Sequence, residues 1–152
     1  MKSLKTSFAS RVRLFRGALV AILLAGLVVQ SEAQIYTISF TVNGINYGAA
    51  YDTSQNGFTS WSANGQNQLA LQTLYYSITG GSVMQLPTPT SVVPSYSKNP
   101  VTHVTNSATI TADYSIPGYG TVVDALTLSG SPLTETIQFN NTSGNTVTIS
   151  IF

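Results

Sequence analysis

Asp124 and Glu135 are the two carboxylates of this chain that a local reading brings into one geometric relation, so chemistry is sought there first. They lie in two alternating runs, Thr121 to Ser129 and Leu133 to Asn140, on either side of Gly130-Ser131. A two-residue type II′ turn at that dipeptide, with Gly supplying the positive φ, pairs Leu128 with Leu133, Leu126 with Glu135, Asp124 with Ile137 and Val122 with Phe139. Both acids then share a face as diagonal neighbours about 7–8 Å apart, among the apolar residues of the two strands. Two unpaired carboxylates are expensive to bury. Either this end of the hairpin is solvated, or the register slips by one and turns the acids outward, or something compensates them. Compensation by a Ca²⁺ ion, completed by backbone and Asn carbonyls, suits the hard oxygen ligands this chain has in quantity. A glycosidase acid pair is the other chemistry, and it needs about 5–9.5 Å between the carboxyl groups and a sugar cleft.

Other reactive groupings are sparse. His103 is the single histidine, in Val101-Thr102-His103-Val104, and with Asp113 and one of many serines it could form a hydrolytic triad on paper. No Gly-x-Ser-x-Gly elbow supports that arrangement, and the alternative is a surface or loop histidine. There is no cysteine, which excludes a disulfide framework, a thiolate metal site and a cysteine nucleophile. Phosphate-loop and dinucleotide fingerprints are absent from the sequence. Trp61, Tyr75 and Tyr76 supply amphipathic rings that could stack on sugars, with Asn and Gln side chains for the hydroxyls. Core or turn positions are the alternative for each of the three.

The elements that must position these residues follow an N-terminal segment of different character. Lys2, Lys5, Arg11, Arg13 and Arg16 precede an apolar run of 13 residues, Gly17 to Val29, closed by Gln30, Glu32 and the small residues Ser31 and Ala33. The run is short of the roughly 20 apolar residues that cross a bilayer, and its flanks are those of a helical export signal. Cleavage is expected after Ala33, giving a signal peptide over 1–33 and a single domain over 34–152; the alternative is an uncleaved N-terminal anchor. Within 34–152 one Lys stands against four acidic residues, a formal charge of −3, so neither nucleic acid nor anionic lipid is an expected partner. The protein is expected outside the cytoplasm: secreted, extracellular or at the cell surface, or in the periplasm. The lack of cysteine in an exported domain of this size points to a bacterial source.

The domain reads as strand after strand. Ile35 to Val42 alternates and runs into Asn43-Gly44, a type I′ signal that should return the chain as a hairpin over Ile45 to Ala50. Phe58 to Ser62 carries Trp61 and ends at the Asn64-Gly65 turn. Leu69 to Thr79 matches a helical spacing through Leu71, Leu74, Tyr75 and Ile78, but its strand formers and neighbours favour strand. Pro87, Pro89, Pro94 and Pro100 make 87–100 a long extended loop that crosses over within one sandwich. Further runs cover Val101 to Asn106, Ala108 to Ser115 and Thr146 to Phe152. The expectation is an all-β antiparallel β-sandwich of about 8–10 short strands. Phe152 shares a face with Ser150, Thr148 and Thr146, the wrong phase for a lipid-facing barrel strand, so no membrane insertion is expected once the signal is gone.

The export signal, the paired aromatics of "LALQTLYYSITGG" and the threonine-rich "LTETIQFNNTSGNTVTISIF" together resemble the N-terminal portion of bacterial exported proteins of the PEP-CTERM type. The resemblance implies a β-rich exported domain at the envelope or extracellular matrix, and no defined activity. The Pro-Glu-Pro signal, hydrophobic helix and basic end of that group are not in this sequence, so the chain is expected either to be a fragment or to be released. The functional expectation is a non-catalytic structural or interaction module, with extracellular polysaccharide or other envelope proteins as partners. A carbohydrate-binding module is the alternative, and a hydrolase ranks behind both.

Overall fold

Asn43 and Gly44 carry φ angles of 52° and 77°, the two positive values of a type I′ turn, and they fold the first strand back on the second with Val42 opposite Ile45. The structure is a computed structural model that describes residues 32–129 and 132–152. The expected export signal, apart from its last two residues, and the Gly130-Ser131 turn lie outside the described residues. Of the described residues 62% are in strands and none is in a helix.

Residues Ala33–Phe152 form one unit. Its strands in chain order are β1 (Ile35–Val42), β2 (Ile45–Asp52), β3 (Gly57–Ala63), β4 (Gln66–Asn67), β5 (Gln72–Thr73), β6 (Tyr75–Ile78), β7 (Met84–Gln85), β8 (Ser91–Lys98), β9 (Thr105–Ile116), β10 (Gly120–Leu128), β11 (Leu133–Asn141) and β12 (Ile149–Ile151). One sheet runs β1-β2-β3-β4, with β5 on the far end of β3; a second runs β11-β10-β9-β8; a small third sheet runs β12-β6-β7. Every pairing is antiparallel.

Alternation makes the core. Ala108, Ile110, Ala112, Tyr114 and Ile116 of β9 and Val122, Leu126 and Leu128 of β10 are buried, and they meet Ile38, Phe40, Tyr47, Ala49, Tyr51 and Phe58 from the first sheet. Leu74, Tyr76 and Leu86 close the cluster from the third. β1 passes close over β9 and β8, so the first two sheets pack as the layers of a sandwich.

The structure corrects the sequence reading at three places. The 87–100 loop contains an eight-residue strand, β8, opposite β9 with Pro94 facing Ile110. Proline is tolerated there because β8 is an edge strand with a single ladder to satisfy. Val101 to Asn106 is mostly a turn, organised by the Asn99 side-chain oxygen Oδ1, which accepts from the Val101 and Thr102 amides at 2.8 and 3.1 Å, and β9 begins only at Thr105. The final strand shrinks to Ile149–Ile151, and the total is twelve strands because the irregular connections contribute two-residue pieces.

One close approach fixes β5 against β3. A Cβ on Gly57 would lie 2.1 Å from the Gln72 carbonyl oxygen, so only glycine lets the two backbones meet. Gly57→Ala is expected to push β5 outward and cost about 1–3 kcal/mol, read as a lowered urea midpoint with an unchanged far-ultraviolet spectrum.

Candidate functional site

The inward face of β10 is Gly120, Val122, Asp124, Leu126 and Leu128, every one buried, and Asp124 is only 1% exposed. The register to β11 is the one the turn chemistry predicts: Leu128 opposite Leu133, Leu126 opposite Glu135, Asp124 opposite Ile137 and Val122 opposite Phe139. Asp124 and Glu135 are therefore diagonal neighbours on one face. The alternatives of a slipped register and a solvated pair are corrected for Asp124, since register and burial both place its carboxyl inside. Glu135 stays exposed on the edge strand.

The two carboxyl groups lie within hydrogen-bond reach of each other. Glu135 Oε1 also accepts from Gln72 Nε2 at 2.6 Å, which joins β11 of one sheet to β5 of the other. Asp124 Oδ1 is buried with no hydrogen-bond partner. Across β9 the residue opposite Asp124 is Ala112, and Tyr114 is its diagonal neighbour on the same face. The Tyr114 hydroxyl lies 2.7 Å from that of Tyr51, in the core between the sheets. Tyr51 is aimed there by a β-bulge: Ala50 opposes Ser60 while Tyr51 opposes Phe58, leaving Thr59 without a partner. Its ring sits edge-on to Phe58, with centroids 5.1 Å apart at 86°.

Burial, and then the Glu135 charge and hydrogen bond, push the Asp124 carboxyl up to about 7. The protonated form of Asp124 is thereby favoured over the ionised one. The same surroundings press on the phenols. Burial pushes Tyr51 up to about 12, the Tyr114 bond working against it and Asp124 adding to it; burial and the bond to Tyr51 raise Tyr114 further. Asp52, by contrast, is held below its ordinary value by bonds from the Ser54 hydroxyl and amide at 2.6 and 2.8 Å.

A proton retained on Asp124 is one form of compensation for this pair. Carboxyl groups in hydrogen-bond contact are closer than the about 5–9.5 Å used in glycoside hydrolysis. Among the described residues no group of three or more His, Cys, Asp or Glu could hold a metal ion, so Ca²⁺ at Asp124 and Glu135 would draw its remaining ligands from uncharged oxygens.

The sugar-stacking residues are dispersed. Tyr76 is 8% exposed and belongs to the core, whereas Tyr75, its neighbour on β6, faces solvent at 43%. Trp61 opposes the buried Ala49, is half-buried against the core, and has its indole nitrogen buried without a partner. Tyr76 therefore cannot serve as part of a surface platform with Tyr75. His103 is an exposed turn residue with φ of 55°, and Asp113 accepts from the Ser91 hydroxyl at 2.6 Å.

Sequence reasoning missed Gln72 and the contact between the Tyr51 and Tyr114 hydroxyls. Tyr114 was within reach, because it alternates with Ala112 and Ile110 on a buried face. The bulge that aims Tyr51 and the cross-sheet placement of Gln72 leave no local signal. No protein-family model, curated protein or solved structure matches this chain.

The raised Asp124 value fixes the sign of a pH effect. The folded state keeps a proton that the unfolded chain gives up near 3.8, so this contribution is complete below about pH 4 and is lost as pH rises to about 7. Equilibrium unfolding between pH 4.5 and 8, above the range where Asp52 matters, should show stability falling by a few kcal/mol and then levelling. Asp124→Asn, which keeps a donor toward Glu135, should remove the slope; an unchanged slope in that variant would assign the effect elsewhere.

Proposed function

We propose that this chain is a non-catalytic interaction module, exported to a bacterial envelope or extracellular matrix, that works by pairing the free edge of β11 with a second copy of itself. The observation that carries the reading is the character of that edge. β11 is a nine-residue strand at the end of its sheet, almost entirely exposed, without proline or lysine; the opposite edge, β8, has Pro94 and Lys98. Natural sheets guard edges with such residues, and β11 lacks them.

The hydrogen-bond phase makes the edge usable. The Thr142 amide bonds the Tyr119 carbonyl and the Ser129 amide bonds the Pro132 carbonyl, so Thr134, Thr136, Gln138 and Asn140 direct their backbone groups at β10. Leu133, Glu135, Ile137, Phe139 and Asn141 then direct theirs outward. An antiparallel pairing centred on Ile137 sets Glu135 opposite Phe139 and Leu133 opposite Asn141. It matches outward groups on both copies and keeps the two Glu135 side chains four residues apart, which a pairing centred on Thr136 does not. A two-fold contact of this kind is self-complementary and closes as a dimer. The export signal and the resemblance to PEP-CTERM-type proteins supply the location.

A carbohydrate-binding module is the second reading, and one observation favours it. The Tyr75 and Phe152 backbones bond each other at 3.1 and 2.9 Å, which sets their exposed rings side by side, and Gln85 opposes Tyr75 on the other flank. Two rings and an amide in a row suit the apolar face and hydroxyls of a sugar.

Sedimentation velocity over a hundredfold range of concentration should show a monomer–dimer equilibrium that Ile137→Pro abolishes, since this change removes an outward amide and leaves the ladder to β10 intact. A wild-type protein that stays monomeric throughout overturns the pairing reading. For the second reading, retention on insoluble polysaccharide should fall at least tenfold in Tyr75→Ala, and equal retention of both proteins would dismiss the ring pair.

A further inference from the structure

We propose that Asp124 and Glu135 form a proton-operated latch on β11: one proton held between the two carboxyl groups keeps the strand seated on the sandwich, and its loss lets the strand open. The inference deepens the pairing reading, since it names what controls the edge that pairs.

The geometry confines the consequence to β11. When Asp124 ionises, a second negative charge arises at a side chain that is 1% exposed, beside a carboxylate already accepting from Gln72. The groups facing it cannot neutralise it. From β9 come Ala112 and Tyr114, from β2 Tyr51, from β5 Gln72, and from β11 Glu135 and Ile137. Tyr51 and Tyr114 share one hydrogen bond in which a single hydroxyl donates, a neutral phenol can bond a carboxylate but not cancel its charge, and Asp52, which acts on Tyr51, is a further negative charge. Asp113 points to the opposite face and is engaged by Ser91. Lys98 opposes Thr105, seven residues along β9 from Ala112, and His103 is in the turn before that strand, so among the described residues no basic group is near.

Relief must come from water, and one wall can give way. Val122, Leu126 and Leu128 on β10 are fully buried, so moving β10 would dismantle the core. On β11 only Leu133 and Phe139 are even half-buried, so opening it costs little apolar contact. Displacing β11 carries Glu135 off Gln72 and admits water to Asp124. Such a strand opens below the threshold of global unfolding.

The test is amide hydrogen exchange by NMR on the purified protein at concentrations below association, reading Thr134, Thr136, Gln138 and Asn140, whose amides face β10. After correction for intrinsic base catalysis, their protection should fall up to about tenfold per pH unit between about pH 4.5 and 7, level off above, and lie at least tenfold below that of the Ile110 amide. Asp124→Asn should give high, pH-independent protection, and Glu135→Gln should move the levelling point to lower pH. Protection on β11 equal to that of Ile110 at every pH, or a pH profile unchanged in Asp124→Asn, overturns the latch. Sedimentation at pH 5.5 is run beside it. A latch response without dimers retains the latch and removes the pairing reading, and dimers with pH-independent exchange do the reverse.

Discussion

A sandwich core with an acid in it and no base nearby must be neutralised from within, and that requirement governs the middle of this molecule. Asp124 occupies the centre of a face on which its strand neighbours are Val122 and Leu126. Nothing cationic reaches it, because Lys98 is the only lysine and there is no arginine among the described residues. Retaining a proton is one solution, favoured first by burial and then by the charge and hydrogen bonding of Glu135. The arrangement is less stable than a leucine in the same place would be, as buried ionisable groups commonly are. What it adds is directionality: Glu135 reaches Gln72, Gln72 rides on β5, and β5 is pressed against Gly57, so one buried acid ties an exposed edge to the opposite sheet.

The three sheets divide the labour. β9 and β10 are the fixed body, their inward residues buried along nearly their whole length. The bulge in the first sheet brings Tyr51 onto Tyr114, which gives the layers a polar contact inside an otherwise apolar interface. One hydroxyl donates there and the other accepts, so one phenolic O–H of the two is left over within the influence of Asp124. β11 contributes little to the core, which leaves it as the strand with spare bonding capacity.

The sequence carried the hairpins because their turns have strict backbone requirements. Asn43-Gly44 and the alternation around Gly130-Ser131 each determine a register, and with it which side chains share a face; the diagonal relation of Asp124 and Glu135 follows from that alone. Burial of Asp124 did not follow, because it depends on which part of the first sheet lies above β10. The same limit hid Gln72, whose role comes from a contact 63 residues away in sequence. Pro94 misled for a different reason. Proline density argues against a central strand but not against an edge, and edge or centre is a property of the sheet, not of the segment. Tyr75 and Tyr76 illustrate the period of two: adjacent residues of a strand face opposite ways, so a pair of neighbouring aromatics cannot be one platform.

The small sheet has a cost of another kind. β1, β2 and β3 follow one another through short turns, as do β9, β10 and β11, so their ladders close small loops. β12 instead pairs Ile149 with Ile78, about seventy residues back, and does so through only three residue pairs. Loop-closure entropy grows with the logarithm of the intervening length, so this ladder surrenders much chain freedom for few bonds. Its assembly has to wait for the rest of the domain, because the intervening meander, once folded, is what shortens the distance to be closed. β12 is thus a seal applied to a finished sandwich, and a ribosome-bound chain would hold the other eleven described strands before it had this one.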